Sequence, residues 1–367
     1  MIHQLLLISG LLLFFACAPA LSQSSTNLSL KTIEPTNACF VFEGRVDFSK
    51  PMEPDFYWSG DSATIGFTGT KLSVILDDKD GDNYFDIIID EDDLDPYVIG
   101  CQKGKHVYPV AVRLTDTNHT VQIFRRTDPT WPGTGFGGVE IVESGHVFNP
   151  QIHHSLKIAF YGDSITSGYG VLSITRKNEG AASMMDNYLA YDAITARHFH
   201  ADYHNISRSG IGILKSWYPL VMPQMFNRLN PADPQSQWDF ARWVPDIIVI
   251  NLFQNDSWLL PREEHPPSKG QIIQAYMNFV GSLYRHYPNA TYICMLGNMD
   301  ITEKGSPWPA YVREAVSSVR KMYHANIIDL VVPYKDTPGH PNKKEQRKLA
   351  HSLIQEINKV YYHECDK

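Results

Sequence analysis

Hydrophobic residues change their spacing at Asn149-Pro150, and no other feature of the chain narrows its fold as far. Upstream, from Cys39 to about Glu143, apolar and polar residues alternate in short runs at 63–67, 71–76, 84–90, 106–114 and 120–124. Turn sequences such as Thr68-Gly69-Thr70 and Asp80-Gly81-Asp82-Asn83 separate them. Many short alternating strands with no helical stripe predict an antiparallel β-sandwich or jelly roll. Downstream, compact apolar runs at 156–161, 202–206, 245–251, 291–296 and 326–330 suit strands buried on both faces. Helical stripes lie among them: Ile272, Ile273, Tyr276, Phe279, Val280 and Leu283 share one face, as do Val312, Ala315, Val316 and Val319, then Leu353, Ile354, Ile357 and Val360. Strand and helix in alternation predict a parallel sheet covered on both sides, an α/β/α domain.

The chain has 367 residues, enough for two cores, and carries 40 acidic against 32 basic side chains. A net charge of −8 without a long basic run argues against nucleic acid as a partner, because phosphate binding needs clustered Lys and Arg. Residues 1–22 lack Asp, Glu, Lys and Arg. An apolar stretch there, too short to span a bilayer, precedes the small residues Ala16-Cys17-Ala18-Pro19-Ala20, the pattern of an export signal. A rival reading makes Cys17 the lipidated first residue of a lipoprotein. No later segment is apolar for long enough to form a membrane span. Residues 23–37 read as a linker. Beyond Cys17, the cysteines Cys39, Cys101, Cys294 and Cys365 show neither C-x-x-C spacing nor paired histidines, so a zinc site is not expected. Cys39 and Cys101 are the natural disulfide partners within one domain, although sequence leaves the pairing open.

In a parallel α/β sheet, ligands gather at the carboxyl ends of the strands. The first such strand runs into Gly162-Asp163-Ser164-Ile165-Thr166-Ser167-Gly168-Tyr169-Gly170. A serine at that break is either a helix cap or a nucleophile awaiting a base. Three further loops favour the second role. Ser209-Gly210 follows the second strand, Gln254-Asn255-Asp256 follows the third, and His340-Pro341-Asn342 precedes the last helix. Ser164, His340, the Gly210 N–H and the Asn255 amide together supply the nucleophile, base and oxyanion donors of an acyl-transfer site. No G-x-S-x-G elbow surrounds Ser164, which disfavours an ordinary α/β-hydrolase.

These four blocks resemble those of the SGNH (GDSL) hydrolase superfamily. Gly162-Asp163-Ser164-Ile165-Thr166-Ser167-Gly168-Tyr169-Gly170 and Pro245-Asp246-Ile247-Ile248-Val249-Ile250-Asn251-Leu252, behind a β-sandwich, look like carbohydrate esterase family 2. The resemblance covers nearly the whole chain after residue 22. It implies a jelly-roll domain at 38–146, an SGNH domain at 152–365, and removal of acetyl groups from hemicellulose sugars without a metal or organic cofactor. Residue by residue it makes Ser164 the nucleophile and first oxyanion donor, Gly210 and Asn255 the other donors, and His340 the base. Phe253 stands where the superfamily's third block has glycine, and a bulky side chain there would narrow the acyl pocket or alter its loop. Thr337 stands where the acid is usual, so the histidine's orienting group is either Asp336 or a backbone carbonyl. The expected partner is an acetylated polysaccharide or oligosaccharide and the expected state a monomer. Two alternatives stay open: a carbohydrate-binding protein of impaired activity, and an esterase or lipase acting on lipid or peptidoglycan esters.

Flat aromatic faces stack on sugar rings. Of Trp217, Trp258 and Trp308, all near the candidate blocks, Trp258 is the preferred cleft residue, with Trp308 and Asp163 as further candidate substrate contacts. Asp78-Lys79-Asp80-Gly81-Asp82 has the wrong glycine and glutamate spacing for an EF-hand and reads as a hairpin turn. His153-His154 reads as linker, and His198, His200 and His204 as surface residues.

Overall fold

A computed structural model describes residues 29–92 and 96–362. Residues 1–22, read from sequence as an export signal, and Cys365 lie outside the described residues, Cys17 with them. The first domain is two antiparallel sheets packed face to face. One orders its strands Leu30–Ile33, Thr134–Val142, Leu72–Asp78 and Gly104–Ala111, with Asp55–Phe56 also pairing to Thr134–Val142. The other runs Val147–Phe148, Ser62–Thr68, Asn118–Arg125, Tyr84–Ile89 and Tyr97–Gly100, with Val41–Glu43 against Ser62–Thr68. Alternate residues of the two inner faces, among them Ile65, Phe67, Val74, Leu76, Phe85, Val121, Ile123, Phe136 and Val139, form its core.

Six of the strands described here were not expected, Leu30–Ile33 and Thr134–Val142 among them. Leu30–Ile33, inside the segment read as linker, adds an edge to the first sheet. Thr134–Val142 contains Gly135, Gly137 and Gly138, which obscure its alternation. The sheet needs glycine there. At Gly138 (φ 93°) a Cβ would stand 2.1 Å from the Ile33 carbonyl oxygen, and the register shifts between Phe136 and Val139. Cys39, Cys101 and Cys294 are free thiols, so the expected Cys39–Cys101 bridge is absent. The Asp78–Asp82 run is a hairpin turn, its Asp78 Oδ1 accepting the Gly81 N–H at 2.6 Å.

The second domain holds five parallel strands: β1 (Lys157–Gly162), β2 (Asp202–Ser207), β3 (Ile247–Asn251), β4 (Thr291–Leu296) and β5 (Ile327–Val331). Their spatial order is β2-β1-β3-β4-β5. Residues alternate strictly between two cores. Ala159, Tyr161, Ile248, Ile250, Tyr292 and Cys294 face one side. Ile158, Phe160, Ile247, Val249, Ile293 and Met295 face the other. Helices Lys269–His286 and Trp308–Tyr323 cover the first face, while Tyr191–His198 and Lys343–Ile357 cover the second. The order reverses between β1 and β3, and such a reversal opens a crevice at the strands' carboxyl ends. Among the described residues, no helix is long and apolar enough to cross a membrane.

Candidate active site

β1 ends at Gly162, and the chain turns at once into the short helix α1 (Ser164–Ser167). Each residue of Gly162-Asp163-Ser164 serves that turn. A Cβ on Gly162 would collide with Thr166 Oγ1 at 1.9 Å. Asp163 is the N-cap, its Oδ1 accepting the Ile165 N–H at 3.0 Å. Its carboxyl is buried and thereby pushed up to about 7, and it serves the fold as the helix cap. Ser164 follows as the first helical residue. Below α1 lies a buried polar floor. Asn187 Nδ2 donates to the Thr166 carbonyl at 2.9 Å, Thr166 Oγ1 meets Tyr191 Oη at 2.9 Å, and Ser167 Oγ meets Ser207 Oγ at 2.8 Å. These bonds fix the helix that presents Ser164.

His340 Nε2 lies 2.9 Å from Ser164 Oγ, although 176 residues separate them in sequence. The other ring nitrogen does not face Asp336. His340 Nδ1 is 3.2 Å from Glu179 Oε2, and the His340 backbone N–H donates to Glu179 Oε1 at 3.3 Å. The carboxylate beside the histidine is thus Glu179, on the loop after α1, while Asp336 is exposed at φ 53°. Thr337 hydrogen-bonds instead to Glu345, which closes the capping box of helix Lys343–Ile357. The hydrogen bond from His340 holds the Glu179 carboxyl below the usual range, with the nearby Arg176 guanidinium adding to it. An ionised acceptor at Nδ1 keeps the imidazole proton there and leaves Nε2 free to accept the Ser164 proton. Two glycines allow the approach. A Cβ on Gly339 (φ 73°) would stand 2.3 Å from Glu179 Oε1, and one on Gly170 (φ 65°) would stand 3.0 Å from Glu179 Cγ. The Tyr169 ring packs on His340 at 4.6 Å.

Gly210 (φ 83°) and Asn255 follow β2 and β3, the strands that flank β1. Trp217 joins them: its backbone N–H donates to the Gly210 carbonyl at 3.0 Å and its indole N–H to Asn255 Oδ1 at 3.0 Å. Asn255 Nδ2 donates one hydrogen to the Ile211 carbonyl at 2.8 Å, which fixes the amide's orientation and leaves its second hydrogen for an incoming oxygen. Asp256 carries the loop. Its buried carboxylate accepts the N–H groups of Ile213, Leu214 and Lys215 at 2.9, 2.7 and 3.0 Å.

Phe253 corrects a further expectation. It adopts φ 85°, the conformation that favours glycine there, but its ring is fully buried, 5.0 Å from both Tyr276 and Trp308. It therefore fills the core beneath the loop. Trp308 is likewise a core residue. The Trp258 indole is tied to Asp300 Oδ2 at 2.7 Å and its ring packs against the second core. Trp217 is 57% exposed and lies beside both Gly210 and Asn255. His204, expected at the surface, is buried and stacked 3.7 Å from Trp243. Sequence reasoning missed Glu179 altogether. The one available signal was a carboxylate in a glycine-bounded loop shortly after the serine block.

A parallel α/β/α sandwich with a serine after its first strand, paired to a histidine before its last helix, defines the SGNH class of hydrolase. The chain belongs to the GDSL-like lipase/acylhydrolase family, whose pattern matches residues 160–353. Residues 42–150 match the N-terminal domain of carbohydrate esterase 2. The chain is 28% identical over 335 residues to a cellulase/esterase, CelE, of Acetivibrio thermocellus, with 89% of this chain covered but only 40% of that protein. It thus spans about two fifths of that relative's length. It is also 21% identical to an acetylxylan esterase/glucomannan deacetylase of Cellvibrio japonicus, over 98% of this chain and 99% of that one. Among solved structures, a family two carbohydrate esterase from Clostridium thermocellum, in complex with cellohexaose, is 27% identical with a TM-score of 0.79. That match covers 87% of this chain and 98% of the other.

Proposed function

We propose that the protein is an exported serine esterase that removes O-acetyl groups from polysaccharides or oligosaccharides. The observation that carries this reading is the contact of His340 Nε2 with Ser164 Oγ at 2.9 Å, backed by Glu179 on the far ring nitrogen. His340 takes the Ser164 proton as the oxygen attacks the acetyl carbonyl. The N–H groups of Ser164 and Gly210 and the Asn255 amide receive the negative charge that develops on the carbonyl oxygen. The tetrahedral intermediate then collapses with its bond to the sugar oxygen breaking, and the protonated His340 gives that oxygen its proton, releasing the sugar hydroxyl and leaving an acetyl-serine. A water deprotonated by His340 hydrolyses it and restores the serine. Glu179 takes the orienting role that sequence reasoning offered to Asp336. Trp217 offers a flat apolar face for a sugar ring beside the oxyanion donors.

The substrate class rests on the similarity to acetylxylan esterase/glucomannan deacetylase and carbohydrate esterase relatives, and export on the composition of residues 1–22. The alternative of an inactive binding protein rested on Phe253 and Thr337. The buried Phe253 ring and the Glu179–His340 contact support the active reading instead. The test is hydrolysis of a short-chain nitrophenyl ester, followed by acetate release from acetylated xylan, glucomannan and peptidoglycan. Ser164→Ala is expected to abolish turnover on every ester that the wild type cleaves. Equal slow rates for the two proteins would refute the esterase reading, and a preference for long acyl chains would move it to lipids.

A further inference from the structure

One buried carboxylate of the β-sandwich domain reaches into the loop that carries Gly210. Asp128 follows strand Asn118–Arg125 and is completely buried. Its Oδ2 accepts both the Ser209 backbone N–H and the Ser209 Oγ–H at 2.6 Å. Its Oδ1 accepts the Thr130 N–H at 2.9 Å, which holds the carboxylate in its own turn. Ser209 is the residue before Gly210, so the Ser209–Gly210 peptide carries the Gly210 N–H. On the far side of that peptide the Ser209 carbonyl accepts the Tyr218 hydroxyl at 3.1 Å. The Tyr218 ring is in turn held under the Arg208 guanidinium at 4.1 Å. A peptide unit is planar and trans, so its N–H points opposite to its C=O. Fixing the Ser209 amide, hydroxyl and carbonyl therefore fixes the direction of the Gly210 N–H. This is a bond network shared between two domains, with its anchoring charge supplied by the domain that lacks the Ser–His pair.

We infer that Asp128 of the β-sandwich domain, acting through Ser209, is a positioning residue for the Gly210 oxyanion donor, which makes the oxyanion hole a joint product of both domains. The inference rests on the esterase reading and deepens it. A donor turned away from the oxyanion weakens the transition state while leaving the bound ester nearly untouched, so the loss falls on kcat. In the full chain, Asp128→Ala is expected to lower kcat for a short-chain nitrophenyl ester by roughly 10- to 100-fold with KM changed less than about threefold. Asp128→Asn, which keeps one acceptor, should fall between it and the wild type. Binding of an arylboronic acid, whose serine adduct places an oxygen in the same hole, should weaken in parallel with kcat/KM. A merely structural role would instead lower the unfolding midpoint and leave boronate affinity per folded molecule intact. Should Asp128→Ala lack a cooperative unfolding transition, Ser209→Ala removes only the hydroxyl bond and is expected to lose kcat severalfold. Wild-type kcat and boronate affinity in the folded variant, within twofold, would overturn the inference. Absence of Ser164-dependent hydrolysis in the wild type would overturn the esterase reading first, and this inference with it.

Discussion

Removing the carboxylate charge of Glu179 and that of Asp336 should have different effects, and the difference would identify the group that orients His340. A carboxamide at position 179 can donate to Nδ1 and so favour the wrong tautomer, with the proton on Nε2 where Ser164 must deliver its own. A fully buried triad aspartate loses about 10⁴-fold in kcat on that change. Glu179 is partly solvated, its side chain 19% exposed, so water can replace some of its effect. Glu179→Gln is expected to lose on the order of 10²-fold in kcat, and Asp336→Asn to change kcat less than about twofold. Steady-state kinetics of the two variants decide between them, and the reverse ranking would restore Asp336. At this scale the serine, histidine, glycine and asparagine of the candidate site could be singled out in the sequence, because each stands in a block after a strand or before a helix. Glu179 could not be singled out, because its approach depends on the folding of a loop between residues 170 and 181 and on two glycines that make room for it. Contacts of that kind have no period and no fixed spacing.

The loop from β3 into helix Gln254–Leu259 sets backbone strain against core packing at Phe253. A non-glycine residue at φ 85° costs about 1–2 kcal/mol, which glycine would avoid. The ring fills the space between Tyr276 and Trp308, and deleting a buried phenylalanine costs about 3–5 kcal/mol. Packing wins. Phe253→Gly is expected to destabilise the protein by about 1–4 kcal/mol, the packing loss less the strain relieved. Urea unfolding followed by tryptophan fluorescence measures it, and a gain in stability would show that strain dominates. The same competition explains what could be read of the elements. Strands of the parallel sheet were legible because burial on both faces leaves unbroken apolar runs. Strand Thr134–Val142 was hidden by the glycines that its close neighbours require. Likewise Phe253 looked like an intrusion into the acyl pocket, since sequence does not say to which side of a turn a ring points.

The two domains share buried charge as well as apolar surface. Arg45, from the turn after strand Val41–Glu43, enters the α/β domain, where it donates to the carbonyls of Phe226 and Arg228 at 2.7 and 3.0 Å and lies 5.0 Å from the Trp238 ring. Arg126 bridges Asp86 of the sandwich and Asp186 of the α/β domain at 3.5 and 3.3 Å. Nearer the surface, Glu43 Oε1 pairs with His154 Nε2 at 2.9 Å, and His154 Nδ1 meets the His200 carbonyl at 2.9 Å. His154 therefore joins the sandwich strand to the loop before β2. The Glu43 carboxylate paired with it raises its pKa from 6.5 to about 9, so the ring is protonated in the fold at neutral pH. Because the folded value lies above the unfolded one, the latch contributes fully below about pH 6.5, and its contribution is lost as pH rises through about 9. Glu43→Gln removes the largest cause of the shift while leaving every other titrating group in place. The midpoint of thermal unfolding should therefore be lower in the variant than in the wild type at pH 6, with the gap narrowing through pH 8–9 and closing by about pH 10. A gap that stays constant across that range would mean that Glu43 acts through packing alone and that the domains are not latched by the His154 charge.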